Sequence, residues 1–186
     1  MSGREPTPRI TPGGVRDIGL LNSVLVRALG VAARTGPPNL FTTLARHRSL
    51  FRRWLVFASG LMPGGRLPRA DTELIILRVA HLCDCPYERL HHERLGREAG
   101  LSDAAVAATE RPLDDGPWSA RQRALLGATD ALHRARRLDD ASWDALQAHL
   151  DEPSLIELCF LVGHYEMVAM VLNSLRIALD ARPRAR

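Results

Sequence analysis

The segment Leu82–His92, LCDCPYERLHH, is unusually rich in side chains that could transfer protons or attack electrophiles. Pro86 is suited to the first turn of a helix, which places Cys85 near the N-cap. Cys85, Glu88 and His92 then stand at positions i, i+3 and i+7 and share one helix face. A thiol, a carboxyl and an imidazole on one face predict a site for acid–base or thiol chemistry.

The two cysteines of this segment do not have the spacing of a metal or disulfide site. Cys83 and Cys85 are separated by one residue, whereas zinc ligand pairs usually have two to four between them. A bridge between such close neighbours would bend the backbone. We therefore predict no metal and no cofactor, with Cys83 as a small residue that ends a buried helix. Because helix N-termini favour anions, the pKa of Cys85 is expected to lie below that of a free thiol, although nearby carboxylates oppose this.

The elements that must position these residues are helical. The 186-residue chain shows apolar periodicity close to 3.6 in nearly every window and no alternating strand pattern, which predicts an all-α fold of about nine helices. Residues 1–16, which are rich in Pro and Gly, predict a flexible arm, and residues 17–182 predict a single domain. The helix starts "RADTEL" and "DDASWDAL", each followed by a Pro-marked turn and another helix, leave open a duplication into two related halves.

Composition narrows the function classes. All 25 basic residues are arginines, the net charge is +4, and no basic stripe with interleaved aromatics is present, so nucleic acid is not expected as a partner. No apolar run approaches the roughly 20 residues of a membrane span, and the first residues lack a signal-peptide core. Three cysteines without a disulfide pattern fit a cytoplasmic location.

Residues 68–108 closely resemble the core of the carboxymuconolactone decarboxylase family, which includes the AhpD-like alkyl hydroperoxidases. Redox members of that family carry a glutamate and a Cys-x-x-Cys pair whose first cysteine lies twelve residues after it. A histidine follows four residues beyond the second cysteine. Glu73, Cys85 and His92 match this pattern, and Glu88 replaces the second cysteine. The resemblance extends over about residues 37–180 and implies an AhpD-like helical bundle that forms a homo-oligomer, often a trimer or hexamer, with a dimer possible.

The resemblance implies a site of four catalytic residues, Glu73, Cys85, Glu88 and His92. Without a second cysteine in the motif, the intramolecular dithiol cycle of the redox members is not available. The favoured function is a cofactor-independent, decarboxylase- or lyase-like enzyme that moves protons on a small organic acid or lactone. The alternatives are a peroxiredoxin-like alkylhydroperoxidase that uses Cys85 and a non-enzymatic oligomeric scaffold or sensor.

Further residues are candidates for lining the substrate pocket. Tyr87 directly precedes Glu88, and His164 and Asn173 lie on the apolar C-terminal helix. A polar residue on an apolar helix is often a satisfied core group, and that interpretation also stays open. The last expectation is geometric: an antiparallel return of the helices should bring Glu73 to Cys85, Glu88 and His92, and one glutamate should then have a raised pKa. The competing expectation is that Glu88 turns outward to pair with Arg89 or Arg94.

Overall fold

The computed structural model describes residues 7–32 and 36–180, and within them it is helical without strands, which confirms the all-α prediction. The chain divides into two compact units. One comprises residues 60–170, and the other comprises the residues up to Ser59 together with those from Val171 onward. This division into two units is finer than the single domain over residues 17–182 that the sequence predicted. Whether the helices arose by duplication stays a prediction.

The N-terminal unit contains α1 (Val15–Ile18), α2 (Leu20–Ala32) and α3 (Asn39–Leu44), and α4 (Arg48–Leu61) begins in it. Gly19, with φ of +81°, separates α1 from α2. Of the predicted flexible arm, residues 1–6 lie outside the described residues. In the rest, the Arg9 amide donates to the Leu175 carbonyl and the Gly13 amide to the Thr42 carbonyl.

The unit of residues 60–170 holds the predicted site. Its helices are α5 (Arg69–Leu82), α6 (Pro86–Glu98), α7 (Asp103–Ala108), α8 (Ala120–Ala135), α9 (Asp140–Gln147) and the larger part of α10 (Glu152–Leu175). Short polar caps start three of them, since Ser102, Ser119 and Asp139 each accept a backbone N–H of the first turn. Leucines and isoleucines of α5, α8 and α10 form the core, each fully buried side chain contributing about 1.5–3 kcal/mol.

Helix α5 is the central helix of this unit, and every residue from Asp71 to Ala80 is buried. Its charged side chains are therefore paired. Arg78 makes two bonds to Asp130, at 2.7 and 2.8 Å, and donates to two backbone carbonyls as well. Arg121 donates to Asp71 at 2.8 Å. Because an unpaired buried charge is costly, these partners allow a polar helix to occupy the core.

A tight turn reverses the chain between α5 and α6. Asp84 adopts φ of +47°, and the Cys85 amide donates to the Ala80 carbonyl at 2.8 Å, which closes the end of α5. Helix α6 then packs closely on α5: a Cβ at Gly96 would lie 3.7 Å from the Cβ of Glu73. The turn and this close packing bring the two motif helices face to face.

Helix α10 is long and apolar enough to cross a bilayer by length and composition, which corrects the statement that no apolar run reaches that length. Of its apolar window, 61% is buried inside the structure. A buried core helix has the same length and composition as a membrane span, so this is weak evidence for a membrane.

Candidate active site

Glu73 and His92 form a buried pair between α5 and α6. The His92 Nδ1 lies 2.7 Å from one Glu73 oxygen, and Arg69 donates to the other at 2.6 Å. Since the Glu73 carboxylate is an acceptor already paired with a guanidinium, Nδ1 carries the proton in this bond. The Nε2 atom of His92 is thereby left as the proton-accepting nitrogen. The predicted convergence of Glu73 and His92 is confirmed at the level of geometry.

A buried phenol packs against this pair. The Tyr165 ring stands edge-on to the His92 ring, with centroids 5.2 Å apart and an interplanar angle of 89°. Burial raises the pKa of Tyr165 well above its ordinary value, and the charges of Glu73 and Glu88 raise it further. The charges of both glutamates thus disfavour ionisation of the same phenol. Tyr165 remains a neutral O–H at physiological pH, and it keeps the His92 ring in place.

Glu88 has a very different environment from Glu73. Its side chain is only 3% exposed, and neither carboxylate oxygen has a hydrogen-bond partner of good geometry among the described residues. Burial raises the pKa of Glu88 from 4.5 to about 8, and the Cys85 thiol offsets only part of this effect. Glu88 is therefore mostly protonated at neutral pH, as expected for one of the two glutamates. The expectation that it turns outward was wrong, because Arg89 pairs with Glu93 and Arg94 with Glu98.

Cys85 lies at the N-cap of α6 as predicted, but its thiol is not activated. Burial raises the pKa of Cys85 to about 12, and the Glu88 charge acts in the same direction. Bonds from the backbone N–H groups of Glu88 and Tyr87 lower the pKa by less. The prediction of a lowered pKa was wrong because the side chain is 2% exposed. In such a site the lost hydration of the thiolate outweighs the helix N-terminus.

The three predicted pocket residues are placed differently from one another. Tyr87 is buried with its ring 4.9 Å from the His91 ring. His164 is buried against Tyr165, and burial lowers its pKa to about 4, so it is neutral at pH 7. Asn173 is exposed and belongs to the other compact unit. Their proposed contact with substrate, like the catalytic role of the four motif residues, stays a prediction.

Sequence reasoning missed two features of this site. Arg69, the ion-pair partner of Glu73, stands four residues before it, so its i,i+4 spacing was a readable signal. The second feature is a group beside the motif, in which the Cys83 sulfur lies 4.0 Å from His133 Nδ1, and that nitrogen lies 2.7 Å from Glu166. These residues come from three separate helices, and no local spacing signals them. They are also the residues of the described chain best able to hold a metal ion.

Comparisons with known proteins find a family match for part of the chain and similar folds. Residues 48–131 match the model of the carboxymuconolactone decarboxylase family. A search of curated proteins found no match. Among solved structures, the fold is similar to a peroxidase-related AhpD-core protein of Ralstonia eutropha, with TM-score 0.84, 18% identity and coverage of 95% of this chain and 94% of that chain.

Two other solved structures are similar over nearly the whole chain. A peroxidase-related protein of Silicibacter sp. gives TM-score 0.81 and 17% identity, covering 100% of this chain and 98% of its own. The debrominase Bmp8 gives TM-score 0.77 and 16% identity, covering 94% of each chain. At these identities the likeness shows the fold, and the family match covers the site helices. Residues 48–131 thus match the carboxymuconolactone decarboxylase family, and the chain has an AhpD-like helical fold.

Proposed function

We propose that this protein is a cofactor-independent enzyme that transfers protons on a small organic acid or lactone, in the manner of a decarboxylase or lyase. One observation carries the proposal: two buried glutamates of one site have opposite environments. Glu73 is paired with Arg69 and His92, whereas Glu88 has no hydrogen-bond partner of good geometry and has a pKa of about 8. Two carboxyl groups in such different environments are a usual arrangement in acid–base sites.

The roles follow from these environments. Protonated Glu88 is the general acid, because its raised pKa keeps a proton available at neutral pH. In decarboxylation the bond to the substrate carboxyl breaks, its electron pair remains on the carbon skeleton as an enolate, and Glu88 protonates that skeleton. Solvent then returns the proton to Glu88. In an isomerisation, Nε2 of His92 removes a proton, and Glu73 holds the resulting imidazolium.

The position of the site favours a small anionic substrate. Glu73, Cys85, Glu88 and His92 are each at most 7% exposed, so a large molecule has no room beside them. Arg69 is the exception, because 42% of its side chain is accessible while it contacts Glu73. It is the cation best placed to attract a substrate carboxylate toward the buried pair.

The thiol-dependent alternative has less support. A thiol with a pKa of about 12 is almost wholly protonated at pH 7, and the thiolate is the species that attacks a peroxide. The motif also lacks the second cysteine that would form a disulfide with an oxidised Cys85. A scaffold without activity is the remaining alternative.

The test compares two reactions on the same set of variants. Carbon dioxide release from carboxymuconolactone and related lactone acids is measured for the wild type, Glu88→Gln, His92→Gln and Cys85→Ser. Glu88→Gln should lose about 10²- to 10⁴-fold in carbon dioxide release, the usual contribution of a general acid. His92→Gln should lose less in this assay, because His92 acts as the base only in the isomerisation. Cys85→Ser should keep measurable turnover. Glu98→Gln, a half-exposed glutamate of the same helix, is the matched control.

The same proteins are assayed for consumption of an alkyl hydroperoxide with dithiothreitol as reductant. Peroxide turnover that disappears in Cys85→Ser but persists in Glu88→Gln would replace the proton-transfer proposal with the thiol one. Absence of both reactions would favour the scaffold. Infrared spectroscopy gives a substrate-free readout: a protonated-carboxyl band at pH 7 should be absent from Glu88→Gln.

We also propose that the protein forms a homo-oligomer. On α10, the large apolar residues Ile156, Phe160, Met167 and Met170 are all exposed, and their spacing of four, seven and three residues places them on one stripe. Apolar positions repeating at about 3.5 residues are typical of helices that pair with another helix. Light scattering should give a mass above that of one chain. Phe160→Glu should reduce that mass, while Ala104→Glu, at an exposed position of α7, should not.

The cytoplasmic location and the absence of nucleic-acid and membrane partners stay predictions. The exposed stripe on α10 supports a protein partner for this surface. A monomer mass at micromolar concentration would contradict the oligomer proposal without touching the proposed chemistry.

A further inference from the structure

A second group of reactive side chains lies on the other side of the turn that ends α5. Cys83 is the C-cap residue of α5, His133 belongs to the last turn of α8, and Glu166 lies on α10. Their sulfur, nitrogen and oxygen atoms all lie within 4.8 Å of one another. The proton-transfer proposal assigns no role to any of these three residues.

We propose that Cys83, His133 and Glu166 form a site for a divalent transition-metal ion, with Zn²⁺ as the best chemical match. Thiolate, imidazole and carboxylate are the three protein donors that Zn²⁺ accepts, at about 2.3, 2.0 and 2.1 Å. Donors at those distances in a tetrahedron are about 3.2–3.8 Å apart. The observed separations are 4.0 Å from Cys83 to His133 and 2.7 Å from His133 to Glu166, so each of these two pairs lies about half an ångström or less outside that range.

Glu166 shows why a cation suits this position. Its side chain is only 11% exposed, and its two oxygens are bonded to His133 and to Arg136. The Arg136 side chain is 66% exposed and can move into solvent when a metal ion takes its place. The carboxylate thus already has cationic or hydrogen-bond-donating partners on both oxygens, and one of those partners is free to leave.

The Cys83 thiol must lose its proton to bind a metal ion. Burial raises the pKa of Cys83 to about 11, and the charges of Glu166 and Glu88 raise it further. A divalent ion at this position would reverse the electrostatic part of that effect and displace the thiol proton. The sequence predicted no metal because Cys83 and Cys85 are separated by one residue and no second ligand pair follows at a suitable distance. The ligands that change the conclusion are 50 and 83 positions further along the chain.

Glu166 borders a cleft of about 510 Å³, so an ion can reach the group from its side. Glu166 and Arg136 form part of its wall, together with Arg137, Trp143 and Cys159. Three protein ligands leave one position of a tetrahedral zinc ion for water or a small anion, as in catalytic zinc sites. The two arginines of the cleft favour an anionic ligand at that position.

The test uses Co²⁺ as a spectroscopic substitute for zinc on the purified full chain. Titration should show one ion per chain and a thiolate-to-metal charge-transfer band. Cys83→Ser should remove that band and weaken binding by more than the 10- to 100-fold typical of an outer-shell change. Cys159→Ser is the matched control, because Cys159 borders the same cleft, and Cys85→Ser controls for the neighbouring site. Both controls should keep the band.

Glu166→Gln keeps the shape of the side chain and provides a second variant if Cys83→Ser folds poorly. It should lower the Zn²⁺-induced rise in melting temperature, and circular dichroism should confirm its helix content. Two results would overturn the proposal: no stoichiometric binding of Co²⁺ or Zn²⁺ at millimolar concentration, or a thiolate band that persists in Cys83→Ser. These readouts need no enzyme activity, so their outcome is independent of the proposed proton transfer.

Discussion

Cys83 and Cys85 stand two residues apart, but the turn at Asp84 directs them into different environments. Cys85 is enclosed beside Glu88, a carboxyl without a hydrogen-bond partner of good geometry among the described residues. Cys83 is half-buried beside Glu166, whose oxygens are bonded to His133 and Arg136. Burial raises the pKa of both thiols, to about 12 and about 11 respectively.

The difference between the two carboxylates shows what burial does with and without partners. A buried glutamate without a good partner takes up a proton, because desolvation disfavours the charged form. A buried glutamate bonded to an imidazole and a guanidinium is compensated and presents negative charge to a cation. The Cys85 side is thus suited to donating a proton, and the Cys83 side is suited to binding a positive ion.

The largest expected effect is the pH dependence of stability caused by Glu88. Its pKa is about 8 in the folded protein and near 4.5 when unfolded, so the folded state binds more protons between these values. The free energy of unfolding should therefore fall as pH rises from 4.5 to 8. With about 1.4 kcal/mol for each tenfold change in proton affinity, the loss is on the order of 5 kcal/mol. Urea denaturation at several pH values measures it.

Glu88→Gln should remove that slope and make the variant more stable than the wild type at pH 9. His164 has the opposite effect below pH 6.5, since burial lowers its pKa to about 4 and the unfolded state then binds more protons. Both proteins contain His164, so the difference between their free energies of unfolding at each pH reports Glu88 alone. Parallel pH profiles for the two proteins would mean that Glu88 is ionised in the folded state.

Removing the charge of Glu73 should lower the free energy of unfolding by less than the Glu88 effect. Glu73→Gln breaks the pair with His92 and leaves Arg69 without its partner, and breaking a buried pair costs about 3–5 kcal/mol. We expect the free energy of unfolding to fall by about 3 kcal/mol, the low end of this range, because the Arg69 side chain is 42% exposed and can reach water. Thermal unfolding measures the loss. Glu98→Gln serves as control, and an equally small change in both variants would refute the pairing.

The smallest expected effect separates the two thiols directly. At any pH below both pKa values, a pKa of about 11 for Cys83 and about 12 for Cys85 gives Cys83 about ten times the thiolate fraction. Iodoacetamide should therefore label Cys83 faster, as read by peptide mass spectrometry with a chelator present. Exposed Cys159 is the internal reference for an accessible thiol. Faster labelling of Cys85 would reverse the comparison.

Much of the fold was readable from the sequence because its signals are local. Pro86 opened α6 as expected, Ser102 capped α7, and the apolar pattern of α5 indicated burial on all sides. The interruption at Gly19 was missed, because the apolar period continues across it and only the positive φ reveals the break. Helix α10 was underestimated as an apolar segment because isolated polar residues such as Glu157 divide its sequence.

The sequence by itself determined the all-helical architecture and the meeting of Glu73 with His92. Helical periodicity sets which residues share a face, and a short turn obliges α6 to return along α5. Only the tertiary structure decided that Glu88 holds a proton, that the Cys85 thiol is not activated, and that Cys83 meets His133 and Glu166. Desolvation depends on every group packed around a side chain, and those groups come from helices far apart in the chain.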